Sequence, residues 1–172
     1  MEILDIYDAQ RNRTGRFHRR GSRLSKGEYI LITCVWVCDR AGRLLLTLRA
    51  PEKNGCPNTW ENSGGAAKAG ETSRQSIARE LYEETGLRAA ESDFLLLESE
   101  RTRDTFFDFY FLRHTAPLEQ IVLQPGETAD ARWVTLEEME QMIDAGIVAP
   151  PIARRFHLHK PRLQKLLQDT KE

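Results

Sequence analysis

Residues 65–87 read GAAKAGETSRQSIARELYEETGL, the most informative run in the chain. Thr72 stands three residues ahead of Gln75, the spacing of a reciprocal helix cap, so a helix is expected to begin near Ser73. Gly86 supplies a residue that tolerates the left-handed conformation at its end. Within that helix Glu80 and Glu84 are four apart and Glu83 lies one turn after Glu80, so three carboxylates share one arc. Ile77 and Leu81, also four apart, give a short apolar stripe for packing. Carboxylates this close raise one another's pKa unless something positive sits among them. Arg79 is one candidate. A hard divalent cation is the better one, because it takes oxygen ligands and keeps waters for a phosphate. Most Glu/Arg-rich helix faces are solvated and weakly paired. Here Gly64-Gly65 stands ahead of the helix, where a close backbone approach is useful, and that favours a built site.

The same residues resemble the Nudix box, G-x5-E-x7-R-E-U-x-E-E-x-G-U with U aliphatic. Gly65, Glu71, Arg79, Glu80, Leu81, Glu83, Glu84, Gly86 and Leu87 fill every defined position. The resemblance implies an α/β chain with the Nudix fold, an α/β/α sandwich whose mixed sheet carries the box helix. It also implies a hydrolase that cleaves the phosphoanhydride of a nucleoside diphosphate linked to another group, with Mg2+, or Mn2+ in its place, as cofactor. By the same resemblance Glu80, Glu83 and Glu84 supply most of the metal ligation, and the carbonyl of Gly64 is a further ligand candidate. Arg79 orients a glutamate through a paired hydrogen bond, and Glu71 fixes the loop–helix geometry rather than touching phosphorus.

Glu127 is a further candidate. It lies in the turn QPGE, six residues before Trp133. MutT-type Nudix enzymes often place a glutamate in this loop as ligand or general base; an exposed turn acid is the alternative. The segment before the box is similar to isopentenyl-diphosphate isomerase: a leader, a long apolar strand, GRLLLTLRA, a Pro-containing loop, then WENS. The isomerase pattern has a catalytic cysteine and a metal-binding histidine where this chain has Gly65 and Ala67. Shared fold with a replaced reaction is therefore expected. A Nudix-like sensor that binds a nucleotide metabolite without catalysis is the remaining class. Such modules usually lose box carboxylates, and none is lost here.

Composition sets the frame. A chain of 172 residues suits one domain with a real core. Its formal net charge of -1 gives no global drive toward nucleic acid; the Nudix resemblance implies a small-molecule diphosphate as partner, and a homodimer is compatible. No apolar run is long enough to span a membrane, and MEILDIYDAQ carries acids rather than a signal core. Cys34, Cys38 and Cys56 are sparse and odd in number; buried free thiols and a cytoplasmic setting are expected.

The rest of the chain alternates strands and helices. Residues 1–28 form a basic leader without assigned elements, its arginines (11, 13, 16, 19, 20 and 23) being candidates for a diphosphate clamp. Residues 29–148 form the core. Strands are expected at 29–38, 43–49, 94–100, 106–113 and 131–134, and Thr135 caps a helix through residue 145. Residues 150–172 read as two short helical pieces divided at Pro161. Their basic residues 154, 155, 160, 162 and 165, with His157 and His159, suggest a solvated helix face.

Overall fold

The leader folds as a hairpin. In the computed structural model, which describes residues 2–168, β1 (Ile3–Tyr7) pairs antiparallel with β2 (Arg13–Arg19). Asp8 closes the turn by accepting the backbone N–H groups of Gln10 and Asn12, each at 2.9 Å. The sequence hid these strands because β2 is exposed at nearly every position and lacks the alternation that marks a half-buried strand. The hairpin docks through Tyr7, which with Leu31, Ala67 and Phe106 forms a small apolar cluster.

β3 (Ile30–Cys38) is the centre of the main sheet. Its β-branched and aromatic residues suit burial on both faces. β4 (Leu44–Arg49) meets it antiparallel at Cys38–Leu44, and then pairs with the short β5 (Trp60–Glu61). β6 (Ser63–Ala66) runs antiparallel along residues 32–35 of β3. After the box helix α1 (Ser73–Thr85) come β7 (Leu95–Arg101) and β8 (Thr105–Arg113), an antiparallel pair, with β8 parallel to β3. β9 (Thr128–Val134) closes on β4, starting three residues earlier than the sequence suggests. The sheet is thus mixed, and no helix among the described residues is long and apolar enough to cross a membrane.

Alternation along β3 divides the core. Val35 and Val37 face α1, packing with Ile77, Leu81, Phe94 and Leu112. Trp36 and Cys38 face the other way, toward α2 (Leu136–Asp144) and α3 (Pro150–Gln168), packing with Met139, Phe156 and Leu163. This is the α/β/α sandwich. Trp60, Phe106 and Phe109 are all core residues. Both expected capping boxes are present, at Thr72/Gln75 and Thr135/Glu138.

The C-terminal segment corrects two expectations. It is one helix with Pro161 inside it, not two pieces, and residues 169–172 lie outside the described residues. An interior proline costs about 3 kcal/mol, which the burial of Phe156, His159 and Leu163 offsets. Nor is its basic face simply solvated. Arg155 is buried, paired with Glu100 and set over the Phe109 ring. Lys160 bonds Glu140 at 2.6 Å, and Arg162 donates to the Leu97 carbonyl. His159 is buried too: Trp36 Nε1–H donates to its Nδ1 at 3.0 Å, and its Nε2 meets Glu98 at 2.7 Å.

Candidate active site

The site is built where β6 runs into the loop ahead of α1. Gly64 lies against β3 so closely that a Cβ there would stand 2.8 Å from Cys34 Sγ. Gly65 lies against α1: a Cβ there would stand 2.7 Å from Glu80 Oε2. Neither φ is positive, so both glycines serve close approach rather than an unusual torsion. The gap they leave admits the Glu80 carboxylate to the sheet edge.

Arg79 sits among three of the box glutamates. Its guanidinium donates twice to Glu71, at 2.6 and 2.9 Å, once to the Ala66 carbonyl at 3.1 Å, and once each to Glu80 and Glu83 at 2.9 Å. Glu71 also accepts the Lys68 N–H at 2.8 Å, which ties the loop to the helix. Burial alone would raise the Glu71 pKa, but these bonds outweigh it and hold the carboxyl below its usual range. Glu83 is shared between Arg79 and Lys68, the latter at 3.3 Å.

Glu84 is different. It is buried, and its Oε2 has no hydrogen-bond partner. Burial first, then the charges of Glu61 and Glu80, push its pKa well up; Ser63 and the Gly64 backbone pull the other way. Burial also raises Glu80 against the opposing effect of Arg79, and raises Glu61 against Arg49. An unpaired buried carboxylate costs stability unless a cation answers it. A donor set of this kind, all oxygen and net negative, suits a hard divalent cation. Among the described residues no three acidic, histidine or cysteine side chains are already drawn together as a ligand set.

A small cavity opens over these groups, lined by Glu80, Glu84, Gly64, Gly65, Arg20, Arg49, Lys53 and Glu127. The fold therefore brings Glu127 to the box glutamates, where its carboxylate pairs with Lys53. Glu61, Lys53 and Arg49 went unnoticed in the sequence. The one signal was a charged residue in WENS directly ahead of the two glycines; Glu61 meets Arg49 at 2.8 Å. Three of the six leader arginines are engaged elsewhere: Arg11 with Asp108, Arg13 with Asp5, Arg16 with Glu28. Of the others, Arg20 and Arg23 face a cavity.

A profile of the NUDIX domain matches residues 29–156. The chain belongs to the NUDIX domain family. With the family comes the enzyme class, Nudix pyrophosphohydrolase. An uncharacterized Nudix hydrolase of Listeria monocytogenes is 36% identical over 151 residues, covering 87% of this chain and 89% of its own. The resemblance to isopentenyl-diphosphate isomerase also holds at lower coverage. The Enterobacter sp. enzyme is 29% identical over 119 residues, 64% of this chain and 63% of that one. Among solved structures, DR0079 of Deinococcus radiodurans superposes with a TM-score of 0.72, covering 99% of this chain and 100% of that chain at 21% identity. A bifunctional NMN adenylyltransferase/ADP ribose pyrophosphatase of Francisella tularensis, complexed with AMP and a Mn ion, gives 0.66 at 15% identity, over 82% of this chain and 43% of that one. These two likenesses speak for the fold.

Proposed function

We propose that this Nudix hydrolase is divalent-cation dependent and cleaves the phosphoanhydride of a nucleoside diphosphate linked to another group. The observation that carries the reading is the unpaired, buried Oε2 of Glu84 beside Glu80, beneath two glycines that leave room for nothing bulkier. Mg2+, or Mn2+ in its place, would be held by Glu80, Glu83, Glu84 and the Gly64 carbonyl. When bound, it supplies charge neutralisation at phosphate oxygens and acidifies water. Arg79 keeps Glu80 and Glu83 at fixed positions. Arg20, Arg49 and Lys53 line the same cavity and attract a polyphosphate. Glu127, held by Lys53 at the cavity wall, accepts a proton from the attacking water as general base.

Isomerisation of isopentenyl diphosphate needs a proton donor to its alkene, and Gly65 and Ala67 offer none. Cys34, whose thiol lies beside Gly64, is a poor acid: burial, then the charge of Glu61, push its pKa to about 12. The test is a panel of nucleoside triphosphates, nucleotide sugars, dinucleoside polyphosphates and isoprenoid diphosphates, with released phosphate, phosphorylated products and dimethylallyl diphosphate measured. The proposal expects cation-dependent hydrolysis of at least one nucleotide. Isomerisation of isopentenyl diphosphate, or nucleotide binding with no turnover across the panel, would overturn it.

A further inference from the structure

A second, larger cavity of about 1500 Å³ shares Gly64, Gly65 and Arg20 with the small one. Its floor is one face of β3, where Ile30, Ile32 and Cys34 follow one another at every second position. Cys34 pairs with Gly64 at the acidic end; Ile30 pairs with Thr105 at the other. Four residues of strand separate the two ends, about 13 Å. The outer wall is the leader loop 20–27. That loop precedes the part of the chain matched by the NUDIX profile.

The far end is cationic. Arg23 and Lys26 from the leader loop and Arg103 from the β7–β8 turn line the cavity and are exposed. None of the three has a hydrogen-bond or ion-pair partner among the described residues. The one carboxylate beside them, Asp104, accepts from Thr105 Oγ1 at 3.2 Å. Elsewhere the leader pairs its arginines closely, Arg16 with Glu28 and Arg20 with Glu2. Three unpaired cations from two chain segments, around one cavity that runs to a diphosphate site, are placed to read a second anion.

We propose that Arg23, Lys26 and Arg103 are specificity residues for a phosphate outside the scissile diphosphate, on the organic part of the substrate. The inference rests on the hydrolase reading above for the position of the diphosphate, and it narrows the substrate class to diphosphate compounds that carry a further phosphate. Charge-assisted bonds of this kind separate such a compound from its dephosphorylated twin by roughly ten- to hundredfold in affinity.

The experiment uses matched pairs that differ by one ribose phosphate: coenzyme A with 3′-dephospho-coenzyme A, and NADP with NAD. Binding to the full chain is measured by titration calorimetry in EDTA. Hydrolysis is then excluded, and the result stands apart from whether the protein turns over any nucleotide. The expected result is at least tenfold tighter binding of one phosphorylated member. In Arg23→Ala/Lys26→Ala/Arg103→Ala the preference falls to near unity while the unphosphorylated twin binds as before. Added salt should shrink the preference in the wild type. Equal binding of both members of each pair, or an undiminished preference in the triple variant, would overturn the proposal. A preference for UDP-glucuronic acid over UDP-glucose without a phosphate preference would assign the end to a carboxylate and overturn it equally. Circular dichroism checks that the triple variant is folded, and Arg103→Ala alone repeats the test with one exposed change.

Discussion

The carboxylate of Glu80 occupies the space that any side chain at position 65 would take: a Cβ on Gly65 would lie 2.7 Å from Glu80 Oε2. The first glycine of the box and its first helical glutamate are therefore one steric unit. A single methyl group at residue 65 must displace the carboxylate or the loop. We predict that Gly65→Ala leaves a folded protein, destabilised by about 1–3 kcal/mol, with cation affinity reduced at least tenfold. Calorimetric titration with Mn2+ and thermal melts check the two effects separately.

Glu84 carries opposite consequences for stability and function. It is buried beside Glu61 and Glu80 with one oxygen unpaired. Glu84→Gln removes a repelled charge, so in EDTA the variant should melt at or above the wild-type temperature. Added Mg2+ should raise the wild-type melting temperature and leave that of the variant unchanged. A variant that melts far lower in EDTA would mean that the carboxylate is a structural anchor instead.

The wall position of Glu127 gives a kinetic prediction. As general base, its change to Gln lowers kcat by roughly 10^2 to 10^4, with stability altered by no more than about 0.5 kcal/mol. Pre-steady-state kinetics on the best nucleotide from the panel measures it. Wild-type kcat in Glu127→Gln would remove this residue from the chemistry and leave its pairing with Lys53 as a surface contact.

His159 links stability to pH through α3. Its Nδ1 accepts from Trp36, so the proton sits on Nε2, facing Glu98. Protonating Nδ1 would set two donors against each other. Burial, then Arg155 and Arg162, lower the His159 pKa from its usual 6.5, against the pull of Glu98. The unfolded chain therefore binds the proton more readily. The stability this group contributes is full above about pH 6.5 and is lost as pH falls below that value. In melts from about pH 8 to pH 5, His159→Gln should flatten this part of the profile. Trp36 fluorescence should change over the same range in the wild type only.

The parts of the fold carried by local chemistry were legible. Both capping boxes, the left-handed Gly86 (φ 72°) and the β-branched central strand announce themselves because they involve near neighbours in sequence. The box glutamates were legible for the same reason, being spaced on one helix. What was hidden depends on distant contacts. The polar β2 is a strand only because β1 pairs with it. α3 runs through Pro161 because Phe156 and Leu163 are buried against the sheet. His159 and Arg155, which read as solvated surface, are buried because Trp36, Glu98 and Glu100 wait on β3 and β7. Glu61 joins the acidic site only once β5 pairs it with Thr47 of β4. None of these partners lies within one helical turn in the sequence.

If the glutamates around Gly64 and Gly65 form a cation site for phosphoanhydride hydrolysis, oxygen from water must enter a phosphorylated product only when the cation is bound. The most direct measurement is product release from the best nucleotide in H2-18O, with and without Mg2+, for wild type and Glu83→Gln/Glu84→Gln. Wild type with Mg2+ should give 18O in a phosphorylated product, with none in EDTA and a loss of at least a hundredfold in the double variant. Equal, cation-independent turnover by both proteins would contradict the cation-site reading.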